Sequence, residues 1–174
     1  MKPQILRPIA GFAALPSNWQ VALIELEREG LGTLTPNGFL TDKEAKARLW
    51  ETSAAYRFSD TRFDFRGEVM WSIDYLLTRT HRVPRKRTGT IYSYSLKHCL
   101  ERERETARKQ GATHAQTYIC NGAAILAAKL CGLKIKRPLL RGIDPNATIS
   151  IGNVDPIDAR NWDGYSGCRE RGKR

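Results

Sequence analysis

Apolar positions in this chain recur at helical spacing over five stretches and alternate over several short ones. Trp19, Leu23 and Leu26 fall one turn apart, Val21 and Ile24 widen the stripe, Ser17 stands where an N-cap belongs and Gly30 where the helix should stop. LGTLTPNGFL (31–40) reads as a hairpin turning at Pro36-Asn37-Gly38. Thr41 and Glu44 have capping-box spacing, opening a helix predicted to reach about Ala55 and to bury Ala45, Leu49 and Trp50. RFSDTRFDFR (57–66) alternates aromatic and charged residues around Phe58, Phe63 and Phe65, the pattern of a half-buried strand. Aromatics set among arginines also suit base stacking. EVMWSIDYLLTR (68–79) returns to helical spacing through Val69, Ile73, Leu76 and Leu77.

Tyr92 to Gly132 holds two helices of opposite character. The first, capped by Ser93 or Ser95 and ended by Gly111, has few apolar positions (Leu96, Cys99, Leu100, Ala107), and its Glu101–Arg104 and Glu105–Arg108/Lys109 spacings suit ion pairs on a solvated face. The second, from Thr117 or Asn121 to Cys131, carries only Lys129 as a charge, and a helix apolar all round is buried. Strands are predicted at 89–92, 133–137 and 147–151.

The expected fold class is therefore α+β: a mostly helical single domain over 1–165 with a small antiparallel sheet. It divides into a helical part (1–60) and an α+β part (61–151), followed by a basic tail (166–174). From 66 to 151 the order helix–strand–helix–helix–strand–strand is that of a winged helix, with 138–146 as the wing. Two features oppose a DNA-reading role: the link between the paired helices is long, and the second helix lacks the Arg, Asn or Gln side chains that read base edges.

Composition changes the picture mainly through charge. Net charge is +11 and the isoelectric point about 9.8, which favours a polyanionic partner, DNA or RNA, and argues against an acidic nucleic-acid mimic. The expected phosphate contacts are Arg79, Arg82, Arg85, Lys86 and Arg87 in a Pro- and Gly-punctuated stretch, then Lys129, Lys134, Lys136, Arg137 and Arg141. Cys99, Cys120, Cys131 and Cys168 include no CxxC pair, so we expect reduced thiols, a cytoplasmic location and no metal or cofactor. The first 19 residues are broken by three prolines, and Ala123–Ala128 is the longest apolar run, so no signal, anchor or membrane partner is expected.

SYSLKH (93–98), YICNGAAILAA (118–128), GLKIKR (132–137) and NATISI (146–151) resemble a pattern in small uncharacterised proteins of phages, prophages and plasmids. The resemblance covers about a third of the chain and implies an accessory protein of a bacterial mobile element, with no activity attached. Its polar residues, Tyr94, Lys97, His98, Tyr118 and Asn121, form a second candidate site. Adjacent on a helix, Lys97 and His98 are not expected to face the same way. Asn121-Gly122 reads as a helix start whose exposed N–H groups suit a phosphate. The family pattern has small residues where this chain has Cys120.

Three functions compete. The first is an accessory protein that binds nucleic acid through basic loops. The second is a protein-binding inhibitor or modulator of a host system, in anti-defence or conjugation control. The third is a metal-dependent nuclease using Asp60 and Asp64, or Asp155, Asp158 and Asp163, though no Lys or His motif accompanies these carboxylates.

Overall fold

The computed structural model describes residues 19–48, 51, 58, 64–80, 88–112, 116–137 and 142–152. In chain order these form α1 (Trp19–Arg28), β1 (Leu34–Thr35), β2 (Gly38–Phe39), α2 (Asp42–Lys46), α3 (Phe65–Thr80), β3 (Thr88–Tyr92), α4 (Ser93–Lys109), α5 (Asn121–Leu130), β4 (Lys134–Lys136) and β5 (Thr148–Gly152). The fold is α+β. β1 and β2 make a short hairpin, and β3, β5 and β4 a three-stranded antiparallel sheet in that order. From α3 to β5 the connectivity is the helix–strand–helix–helix–strand–strand order expected of a winged helix.

α5 is the centre of the fold. Asn121 through Ala128 are all buried, because α1, the β1–β2 hairpin, α3 and α4 surround the helix. Its alanines and Gly122 allow that close approach. Gly122 lies against the hairpin, where an added Cβ would stand 3.0 Å from Pro36 Cα and closer still to the carbonyl oxygen of Thr35. Gly38 enters β2 at φ +119°, a conformation that disfavours other residues, and donates its place to the turn that covers α5. One hydrophobic cluster runs from Ala22 and Leu26 on α1 through Phe39, Phe65, Val69, Leu76, Leu96 and Leu100 to Ile135, Ile149 and Ile151.

Several expectations are corrected. On α1 burial falls on Ala22 and Leu26, while Val21 and Ile24 are exposed. The capping box forms, with Thr41 Oγ1 accepting from Glu44 N and Glu44 Oε2 accepting from Thr41 N, yet α2 ends at Ala47 and Ala45 is exposed. Arg48, at φ +50°, leaves helical geometry there. Leu49 and Trp50 lie outside the described residues, as do Ser17, Phe63, most of the strand predicted at 57–66 and the tail. At the end of that stretch, Phe65 and Arg66 begin α3, where Asp64 caps the helix by accepting from Gly67 N at 3.0 Å. Phe65 is buried and packs on Phe58, ring centroids 4.2 Å apart, so these two rings are core rather than a stacking surface. Among the described residues no helix is long and apolar enough to cross a membrane.

Candidate nucleic-acid interface

Strand alternation sorts the side chains of the three-stranded sheet. Ile91, Ile135, Ile149 and Ile151 are buried on the face toward the helices, leaving Thr90, Tyr92, Lys134, Lys136, Thr148 and Ser150 on the open face. The register aligns them in two cross-strand rows, Lys134–Ser150–Thr90 and Lys136–Thr148–Tyr92. Lys134 and Lys136, two residues apart, are separated by about 6.8 Å along the strand. Both are exposed and have no ion-pair partner among the described residues. Lys134, Ser150 and Thr90, and Lys136 and Thr148, each carry a hydrogen-bond donor, while the Tyr92 hydroxyl spends its own on Asp144. Asp144 adjoins the row through Tyr92: its carboxylate accepts from the Tyr92 hydroxyl and from Asn146 N and Nδ2. Burial raises its pKa, but those hydrogen bonds and Arg137 outweigh it, and the net shift is downward.

The other basic candidates divide. Lys129 is spent internally, its Nζ 2.6 Å from Glu29 Oε1 and 3.2 Å from Glu25 Oε2. Burial opposes its charge, but the hydrogen bonds and charges of Glu29 and Glu25 prevail and raise its pKa. Arg137 is a clamp: Nη1 donates to Leu31 O and Nη2 to Asp144 O, while its guanidinium carbon lies 5.1 Å from the Phe39 ring centroid. Both of these candidate phosphate contacts are therefore engaged within the fold. Arg79 falls in α3, but its side chain lies outside the described residues, as do Arg82, Arg85, Lys86, Arg87 and Arg141.

The second set of candidates converges on a carboxylate that the sequence reading paired elsewhere. Glu101 Oε1 is 2.6 Å from Lys97 Nζ and accepts from Ile119 N, and Oε2 is 2.8 Å from His98 Nδ1. Lys97 and His98 therefore do meet, on opposite oxygens of one group reached by i,i+4 and i,i+3 spacing. Arg104 is not the partner of Glu101; it is buried and donates to Tyr118 O and Asp64 Oδ2. The Glu105 pairs with Arg108 and Lys109 form as expected. Tyr94 stands edge-on to His98 with centroids 4.5 Å apart, and Lys97 Nζ lies 4.5 Å from the Tyr118 centroid and 5.7 Å from that of Tyr94.

Beneath this group lies Glu68, fully buried on α3 and missed by the sequence reading. Oε2 accepts from Cys120 N at 2.7 Å, and Oε1 makes no hydrogen bond. Burial raises its pKa, against the lowering effect of the Cys120 contacts and Arg104. Cys120 does cap α5, its Sγ accepting from Ala123 N at 3.3 Å, and burial beside Glu68 pushes its thiol pKa upward. Among the described residues Cys99, Cys120 and Cys131 form no disulfide; Cys168 lies outside them.

The start of α5 is closed to a phosphate. Asn121 is buried, and its Nδ2 donates to Asn37 O and Asn146 Oδ1, so it ties the hairpin and the approach to β5 together instead of capping its own helix. Around it, Ile119 N, Cys120 N, Gly122 N and Ala123 N donate to Glu101, Glu68, Pro36 O and Cys120 Sγ. Asp64, a candidate metal ligand, serves the cap of α3 and Arg104; Asp60, Asp155, Asp158 and Asp163 lie outside the described residues. Among the described residues no group of three or more His, Cys, Asp or Glu is placed to hold a metal. Comparison with known proteins finds no matching family model, no matching curated protein and no matching solved structure.

Proposed function

We propose that this chain is a nucleic-acid-binding accessory protein that seats a phosphate backbone on the open face of its three-stranded sheet. The observation that carries the reading is the pair of cross-strand rows, in which two ammonium groups with no ion-pair partner among the described residues align with four hydroxyls. Lysine binds phosphate as a point charge, and each phosphate neutralised releases counterions. The net charge of +11 supplies long-range attraction. In sequence, the basic stretch 79–87 leads directly into β3 at Thr88. Backbone contact also fits the burial of α5, which bars the helix in the reading position from a major groove. The resemblance of residues 93–151 supports a mobile-element context, and reduced thiols a cytoplasmic one.

A gel shift of the full chain with duplex DNA, single-stranded DNA and RNA, at two salt concentrations and with or without magnesium, tests this. Binding that weakens steeply with salt, and further in Lys134→Gln/Lys136→Gln, is the expected result. Unchanged binding in that variant would mean the lysines only guard an edge strand against strand addition. Degradation of nucleic acid only with magnesium would favour the nuclease. Absence of binding at low salt would favour a protein-binding modulator, for which the exposed Val21 and Ile24 on α1 are the supporting observation.

A further inference from the structure

The exposed aromatic side chains among the described residues are three tyrosines, Tyr92, Tyr94 and Tyr118, with 38%, 48% and 44% of their surface open. They are not scattered. Tyr92 ends the second row of the sheet's open face, beside Thr148 and Lys136. Tyr94 follows two residues later on the first turn of α4, so its Cα is within about 7.6 Å of that of Tyr92. Tyr94 and Tyr118 in turn flank the same ammonium, that of Lys97.

The two outer rings are also held in place. Lys97 is buried and lies against both rings, while about half of each tyrosine's surface stays open. Glu101 fixes Lys97 and, through His98, the edge-on neighbour of Tyr94. The backbone at Tyr118 is tied on both sides, by Arg104 to its carbonyl and by Glu101 to the next N–H. Burial raises the pKa of Tyr118 to about 12, so its phenol stays neutral and does not repel phosphate. Exposed rings, the first of them two residues beyond the end of a cationic row, supply the two parts of a single-strand site: a track for the backbone and a platform for bases. A duplex keeps its bases stacked inside and cannot use the platform.

Resting on the phosphate-binding reading above, we infer that the nucleic acid taken is single-stranded, with its backbone along Lys134 and Lys136 and bases stacked on Tyr94 and Tyr118. Stacking is indifferent to sequence, since every base has a π-face, so composition of the strand matters little.

The test is fluorescence anisotropy of the full chain with labelled oligo(dT), oligo(rU) and a mixed duplex of equal length at low salt. Single strands are expected to bind more tightly than duplex, with the two oligomers separating a DNA from an RNA target. Tyr94→Ala and Tyr118→Ala should each weaken single-strand binding about 5- to 150-fold, and Tyr94→Phe and Tyr118→Phe should restore it. Because the rings are exposed, circular dichroism should show the variants folded. Single-strand affinity that depends on Lys134 and Lys136 but is indifferent to Tyr94 and Tyr118 overturns this inference and leaves the phosphate-binding reading standing. A preference for duplex does the same, and no binding of any probe overturns both.

Discussion

Gly122→Ala tests the packing that makes α5 the centre of the fold. On an isolated helix this change is favourable by about 1 kcal/mol. Here the new methyl would lie 3.0 Å from the Cα of Pro36 and the carbonyl carbon of Thr35, and closer still to the Thr35 oxygen, all of them backbone atoms. Carbon contacts are comfortable at about 3.5–4.0 Å, so the β1–β2 hairpin must retreat by roughly 1 Å. That movement strains the Gly122 N–Pro36 O bond of 2.9 Å and the Asn121 Nδ2–Asn37 O bond of 3.1 Å. Overpacking costs about 1–3 kcal/mol and a weakened hydrogen bond about 1 kcal/mol. After the helical gain, a net loss of about 1–3 kcal/mol remains, and thermal melting should fall by about 3–10 °C. Gly67→Ala on α3 is the contrast. Its methyl would meet the Asp64 carboxyl carbon at 2.6 Å, but that is the end of an exposed side chain that can rotate away at the expense of its cap bond and its long 3.5 Å contact with Arg104. Urea denaturation should find Gly67→Ala within about 1 kcal/mol of wild type. Equal stability of Gly122→Ala and wild type, or equal loss in both variants, would refute the reasoning.

Two further substitutions probe the electrostatics. The raised pKa of Glu68 means that the stability this group contributes is full below the ordinary value of 4.5 and falls as pH rises through the folded value. Glu68→Gln keeps an acceptor for Cys120 N, so its urea midpoint should gain on wild type as pH is raised from about 4 to 8; a constant difference would contradict a raised Glu68 pKa. Lys129→Gln should leave nucleic-acid affinity and its salt dependence unchanged, because Glu25 and Glu29 already neutralise that ammonium; weakened binding would return Lys129 to the interface.

Local patterns were legible in the sequence where one principle governed. The Thr41–Glu44 box, the Pro36-Asn37 turn, the all-apolar α5 and the Lys134–Ile135–Lys136 alternation all stand as read. What escaped was the destination of polar residues. Glu68 and Ser72 share helical spacing with Phe65, Val69 and Ile73, which was a readable sign of burial, yet their charge and polarity argued for solvent. Lys97 and Arg104 follow Ser93 and Leu100 on the inner side of α4 and are buried for the same reason. Their partners, Glu101, Asp64 and the Tyr118 carbonyl, come from other elements or from a competing local pairing, so spacing alone assigned Glu101 to Arg104. The partners of Lys129 and Arg137 are not legible in the sequence, because Glu25, Glu29 and the Leu31 carbonyl lie about a hundred residues away. The tyrosine platform was half legible: Tyr94 and Tyr118 belong to one shared pattern, but their common ammonium appears only when α4 and the approach to α5 pack together.

Lys134 and Lys136 are proposed to meet phosphate on the open sheet face. The salt dependence of single-strand affinity, measured for wild type and Lys134→Gln/Lys136→Gln, tests it most directly. Each lost phosphate contact should reduce the slope of log K against log salt by about 0.7, so the double variant should be shallower by about 1.4. A slope equal to that of wild type would contradict the account.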